Sequence, residues 1–313
     1  MENYLFAPLI LFCYNRPDHT RKILNNINSL SEAPKTKLFI FSDAAKEQNV
    51  EEAVDEVRMI IRTFLNSETT FLETNVYEAH INKGLANSII EGVTSVIKKF
   101  KKAIILEDDL IVSKDFLKYM NNALNYYENN SSIWAISGYS FNMKCLASYQ
   151  YDVFFTGRGC SWGWATWKNR WETVDWHVRD YDTFKYDIVK RFKFAIWGKD
   201  LPTMLDACMA GKNQSWAIRW CYAAYKQKKL TVYPVKSRIN NNGMDGTGTN
   251  FKFTIDKYKT LLNKDDLNCQ FIVPYIDYQI RKNFTRKYLS ISKYFMLEIK
   301  WFLIKMGILK ASV

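Results

Sequence analysis

Cysteine is sparse and scattered: six residues (Cys13, Cys145, Cys160, Cys208, Cys221 and Cys269) lie far apart in 313, with no CxxC pair and no histidine at zinc-finger spacing. That spacing argues against a disulfide framework and against a structural zinc site. Twelve glycines and six prolines are too few for a fibrous repeat or a long flexible linker. No run of about 18 uncharged apolar residues occurs, so no conventional membrane-spanning helix is expected. The opening MENYLFAPLILFCYNRP lacks both a basic leader and a small-residue cleavage site, and reads as a first strand instead of a signal peptide. GxSxG, HExxH and P-loop signatures are also missing. His19, His80 and His177 are too dispersed to suggest a metal site.

What the chain does have is positive charge and flat rings. Lys and Arg total 44 against 32 Asp and Glu, a net charge of +12. That balance favours an acidic partner, and nucleotide phosphates, nucleic acid and anionic lipid all fit it. Aromatics reach 16%, with ten tryptophans. With 48% hydrophobic and 24% charged residues, the composition is that of a folded protein, not a disordered one.

The first half alternates strand-like and helix-like stretches. Residues 8–14 (PLILFCY) form a continuously apolar run, as in a parallel strand buried on both faces. Asp18 is placed to cap a following helix whose apolar positions are Ile23, Leu24, Ile27 and Leu30. A second strand, 37–41 (KLFIF), ends at Ser42-Asp43, and a charged helix covers about 47–65. A third strand is expected at 71–73 and an amphipathic helix at 87–99. A fourth buried strand, 103–106 (AIIL), runs straight into Glu107-Asp108-Asp109. This order predicts an α/β fold with a mixed, mainly parallel, Rossmann-like central sheet flanked by helices. Ligands of such sheets bind beyond the carboxyl ends of the strands, where Asn15-Arg16, Asp43 and the acidic triplet all fall.

The triplet is the sharpest local signal. Three adjacent carboxylates repel one another unless a cation sits beside them. Their oxygens suit Mg²⁺ or Mn²⁺, which commonly bridge to diphosphates. A solvated acidic turn is the plainer alternative. Arg16 offers a guanidinium fork to a base or phosphate, and Lys83 precedes a helix start that would favour an anion. Asp43 either meets a nucleobase or caps a helix. The segment GRGCSWGWATWKNRW holds four tryptophans. Trp164, Trp167 and Trp171 fit one buried helical stripe, whereas Trp162 is placed to face a ligand.

Taken in order, strand–Asn15-Arg16-Pro17, strand–Ser42-Asp43, IILEDDL and VSKDFLKYM resemble glycosyltransferases of the GT-A fold. The nearest likeness is to N-acetylglucosaminyltransferase I and related bacterial enzymes, whose Glu-Asp-Asp triplet serves as the "DXD" motif. The segments GRGCSWGWATWKNRW, QSWAIRW and NNNGMDGTGT look like transferases of bacterial surface-polysaccharide clusters. The resemblance spans about residues 5–250. It implies that Asp109 holds a divalent cation, Mn²⁺ or Mg²⁺, which grips a nucleotide-sugar diphosphate. It further implies that Asp108 and Glu107 hold the ribose or donor sugar, and that Arg16 and Asp43 frame a uridine. Such enzymes invert and need a base. The matching stretch here reads Gln214-Ser215-Trp216, without a carboxylate, which leaves Asp245 in the Gly-rich loop and Asp206 as candidates. Trp216 and Arg219 are expected near the acceptor or the diphosphate.

A catalytic domain is expected over 1–255, its nucleotide-sugar half about 1–112 and its acceptor half about 113–255, followed by a helical extension over 256–313. Residues 281–310 mix aromatic, apolar and basic residues as an interfacial amphipathic helix does. That pattern points to a cytoplasmic protein able to sit on the inner face of the membrane; a helix packed on the catalytic domain, or a dimer contact, is the plainer alternative. The expected partners are a nucleotide-sugar donor and a saccharide or lipid-linked acceptor, with no nucleic acid. The alternative reading is a noncatalytic nucleic-acid- or polysaccharide-binding protein.

Overall fold

The computed structural model describes residues 6–67, 69–243, 260–264 and 269–287, together with positions 299, 303 and 306. Its first strand, β1 (Leu9–Cys13), is buried at every position and lies parallel between β2 (Lys37–Ser42) and β4 (Lys102–Glu107). Burial on both faces explains the unbroken apolar run. Leu9, Leu11 and Cys13 point into one core, and Ile10 and Phe12 into the other. β3 (Glu73–Glu78) pairs parallel with β2 at the sheet edge. It starts where the expected strand at 71–73 would have ended, because its edge position leaves its residues half-exposed and polar.

The second half adds β6 (Ile133–Ser137), β7 (Val153–Thr156), β8 (Trp164–Trp167) and β9 (Leu230–Pro234) to the same sheet. The eight-stranded order is β3-β2-β1-β4-β8-β6-β9-β7. β8 runs antiparallel to β4 and β6, and β7 antiparallel to β9, so the sheet is mixed while its first half is parallel throughout. A separate antiparallel ribbon joins β5 (Leu110–Val112) to β10 (Ile239–Asn241).

On one face, α1 (Pro17–Asn28), α2 (Glu51–Asn66) and α4 (Phe116–Tyr126) bury Ile23, Leu24, Ile27, Val57, Ile61 and the apolar side of α4. Pro17 occupies the first turn of α1, which places Arg16 at the cap position; Asp18 lies inside the helix and pairs with Arg21 instead of capping. On the other face, α3 (Gly84–Phe100) packs with α9 (Trp216–Lys226) and a cluster of tryptophans. Trp164 contacts Trp171, Trp216 and Trp220 at 5.7, 5.1 and 5.5 Å, and Trp134 meets Trp220 at 4.3 Å. The stripe expected to be helical is therefore half strand: Trp164 and Trp167 sit on opposite faces of β8, in different cores. Only Trp171 is in a helix, α5 (Lys168–Trp171).

Three short helices, α6 (Tyr181–Lys185), α7 (Ile188–Ala195) and α8 (Leu201–Met209), form a subsidiary cluster beside α9. Past the central sheet, α10 (Tyr278–Lys287) buries Ile280 and Phe284 in the main core. No helix among the described residues is long and apolar enough to cross a membrane. Most of the basic amphipathic stretch at 281–310 lies outside the described residues.

Candidate active site

Because β2, β1 and β4 are adjacent and parallel, the residues that follow them emerge at one edge. Arg16 and Asp109 meet there, Nη1 donating to Oδ2 at 2.9 Å, with the two side chains 17% and 19% exposed. The backbone N–H of Tyr14 donates to Asp108 Oδ2 at 3.1 Å. Glu107 ends β4 opposite Phe12. Burial, then the charges of Asp109 and Asp108, hold the Glu107 carboxyl well above its ordinary range, with Arg16 opposing. Burial and the Asp109 charge likewise push Asp108 up to about 7. The acidic triplet is not a freely solvated turn: Asp108 is buried, and Glu107 and Asp109 stand half-buried at the rim.

The β5–β10 ribbon roofs this edge. Asn242 donates its N–H to the Asp109 carbonyl at 2.8 Å, and Gly243 donates its own to Asn241 Oδ1 at 2.8 Å. A Cβ at position 243 would stand 2.3 Å from Asp109 Oδ2. Glycine is required there by contact. At the far end of the ribbon, buried Asp115 accepts from Arg238 Nε at 3.1 Å and from Asn263 Nδ2 at 2.9 Å, which locks the strand register. Gly243→Ala is therefore expected to displace Asp109 and break its 2.9 Å contact with Arg16. A crystal structure of the variant, with a melting temperature held near wild type, checks it.

Asp43 is almost buried, and its carboxylate is engaged as a remote helix cap. Oδ1 accepts from the N–H groups of Lys83 and Ala44 at 2.9 Å, and Oδ2 from Gly84 N at 2.9 Å and Ser88 Oγ at 3.2 Å. Of the two roles open to Asp43, this is the capping one, although it serves α3 and not the next helix. Lys83 turns its ammonium to Glu91 at 2.6 Å. Asn15 sits half-buried between Tyr14 and Arg16.

Other expected site residues lie elsewhere. Asp206 makes a bidentate pair with fully buried Arg191, both contacts 2.9 Å, and accepts from the Tyr181 hydroxyl at 3.0 Å. Those contacts engage both carboxylate oxygens in clamping α6, α7 and α8. Trp216 is 3% exposed and stacked on Trp164, with no face left for a sugar. Arg219 donates to the carbonyls of Ser215 (3.2 Å) and Trp176 (2.9 Å), tying down the start of α9. Trp162 stays half-buried, edge-on to Tyr139 at 4.7 Å. Asp245 lies outside the described residues.

Sequence reasoning passed over Gly243, Asn242 and the Tyr14 amide. The run NNNG was the available signal for the first two; a backbone amide leaves none.

A family model for the GNT-I family, that of N-acetylglucosaminyltransferase I, matches residues 5–182, more than half of the chain and all three strand ends of the site. The chain belongs to the GNT-I family. It is thus a glycosyltransferase-family protein, with a nucleotide-sugar-related function. No curated protein matches it. One solved structure similar to this GNT-I-family chain is a protein assigned as a glucose-1-phosphate thymidylyltransferase from Bacillus anthracis, in complex with sucrose. It shows 13% identity and a TM-score of 0.28, over 42% of this chain and 53% of that one. The chain thus spans about half the length of that neighbour.

Among the described residues, no three His, Cys, Asp or Glu side chains gather to hold a metal by themselves. The donor set nonetheless fits Mg²⁺ or Mn²⁺ bound with a nucleotide. Such ions take one or two carboxylates and complete their shell with phosphate oxygens and water. Asp109 is a half-buried rim carboxylate beside half-buried Glu107 and buried Asp108, and a dication offsets their mutual repulsion.

Proposed function

We propose that this chain transfers a sugar from a UDP-sugar to a saccharide or lipid-linked acceptor, with inversion, as a step of bacterial surface-polysaccharide assembly. The observation that carries the reading is the Arg16–Asp109 contact at the edge where three parallel strands end. A guanidinium beside a rim carboxylate suits a diphosphate bound through a cation.

In this reading Asp109 holds the divalent metal, Mn²⁺ or Mg²⁺, whose chemistry is to neutralise the diphosphate as the sugar departs. Arg16 orients a phosphate oxygen and, by pairing with Asp109, keeps that carboxylate aimed at the rim. Asp108 and Glu107 accept hydroxyl hydrogen bonds from the ribose or the donor sugar. Asp43 acts by fixing the first turn of α3, which walls the nucleoside side together with Lys83. Trp162 offers a ring edge and face to the sugar. Inversion requires a base for the acceptor hydroxyl. With Asp206 clamped and Gln214 uncharged, Asp245 is the candidate for that role. The division into a catalytic domain over 1–255 and a helical extension belongs to the same proposal, as does a place at the inner face of the cytoplasmic membrane.

Incubation with UDP-sugars and Mn²⁺, without acceptor, is expected to give slow release of UDP that EDTA abolishes. A melting-temperature screen of UDP, GDP, CDP and TDP sugars should show the largest rise with UDP and metal together, since a ligand of the native state stabilises it. No hydrolysis and no metal-dependent shift with any nucleotide would reject the transferase reading.

A further inference from the structure

Three of the eight residues of α7 are basic, and its apolar side chains lie on both its inner and its outer face. Inward it buries Arg191, Phe194 and Ala195 at 0%, 0% and 3% exposure; outward it leaves Ile188, Val189 and Phe192 at 36%, 61% and 56%. Met204 of α8 adds a fourth apolar side chain at 39%. A surface helix of a water-soluble fold normally turns polar residues outward. Exposed apolar side chains grouped this way mark an interaction surface. The cations outward on α7 are Lys190, which pairs with Asp187 at 3.2 Å, and Lys193, both exposed, in a chain of net charge +12.

We propose that the α7–α8 hairpin is a docking surface for an anionic lipid bilayer, with Val189 and Phe192 entering the headgroup boundary and Lys190 and Lys193 meeting lipid phosphates. Apolar and aromatic side chains beside lysines on a short helix are the chemistry of interfacial attachment. The same positive charge argues against an equally basic second copy as the occupant.

The hairpin is also joined to the candidate site. Asp200, at the turn, accepts two hydrogen bonds from Arg158, both 2.8 Å. Trp197 packs so closely on Gly157 that a Cβ there would stand 2.3 Å from its Nε1. These contacts lock the turn onto the loop that leads to Trp162. Beyond α8 the chain reaches Gln214, whose Oε1 lies 3.6 Å from the Cβ position of Gly84, beside Asp43. A bilayer held by α7 is joined through these contacts to the loops that border the candidate site, and a lipid-linked acceptor is the one this arrangement would serve. This assignment deepens the transferase reading, and only its statement about the acceptor rests on it.

The test uses the full chain and sedimentation with vesicles of phosphatidylcholine alone or with a quarter of phosphatidylglycerol. Wild type is expected to bind the anionic vesicles, and Val189→Asp/Phe192→Asp to lose at least about tenfold in partitioning. Acceptor-free hydrolysis of UDP-sugar should be unchanged in that variant. If the aspartates impair folding, Lys190→Glu/Lys193→Glu substitutes for it, with the same loss expected. Three results would each overturn the proposal: no binding by wild type, equal binding by wild type and variants, or equal binding to neutral and anionic vesicles. A wild-type dimer that the variant converts to monomer, without lipid binding, would assign the face to a second copy and equally overturn it. Loss of hydrolysis in wild type ends the transferase reading instead, so the two failures are read separately.

Discussion

Asp109→Asn is expected to cut turnover by at least about 10²- to 10³-fold and to abolish the Mn²⁺-dependent rise in melting temperature with UDP, while the melting temperature of the free protein stays close to wild type. The catalytic part follows from the charge that develops on a departing nucleoside diphosphate. A preorganised electrostatic partner for such charge typically contributes about 3–4 kcal/mol to the barrier. Asparagine preserves the shape of the side chain, and so its fit against Gly243, but not the anionic oxygen that a hard cation needs. The stability part follows from what the Asp109 charge does to its neighbours. The Arg16–Asp109 pair is half-buried, at 17% and 19% exposure, but the Asp109 charge also raises Glu107 and Asp108, so its loss relieves that repulsion as it removes the pair. Arg16 also retains Glu107 and Asp108 nearby as counter-charges. Kinetics over a Mn²⁺ titration, alongside thermal unfolding with and without UDP, separate the two effects. A variant that turns over normally would remove the centre of the proposed site.

The strand ends were the legible part of this site because their cause is local. LILFC and AIIL are apolar at every position, and a strand buried on both faces has no other composition open to it. Once those strands are neighbours in a parallel sheet, Arg16 and Asp109 must emerge together, and the 2.9 Å contact is the result. Long-range partners left no such mark. Apart from the adjacent Ala44 amide, the donors to the Asp43 carboxylate come from residues about forty positions on, so its capping role is invisible to a reading of the neighbouring helix. The tryptophan spacing of three and four matched a helix by arithmetic, but burial on both faces of β8 satisfies the same rings in an extended chain. For β3, an edge position explains both its polar composition and the shifted boundary.

Asp206 is engaged as the structural partner of Arg191, and replacing it should have an effect of the opposite kind to that at Asp109. Arg191 is fully buried and receives a two-point contact from Asp206, with Tyr181 donating to the same carboxylate. Breaking a buried pair by removing one partner leaves a desolvated charge and costs about 3–5 kcal/mol. Asp206→Ala is therefore expected to destabilise the protein by an amount in that range, seen as a lowered denaturant midpoint. Arg191→Met/Asp206→Leu should recover most of the loss, because neither charge remains to be solvated. At a temperature well below unfolding, the Asp206→Ala protein should keep kcat within a few-fold of wild type. A general base would behave otherwise, since its loss costs about 10²- to 10⁴-fold in rate whatever the stability. A large fall in kcat with an unchanged midpoint would return Asp206 to the catalytic machinery and show that the clamp with Arg191 opens when acceptor binds.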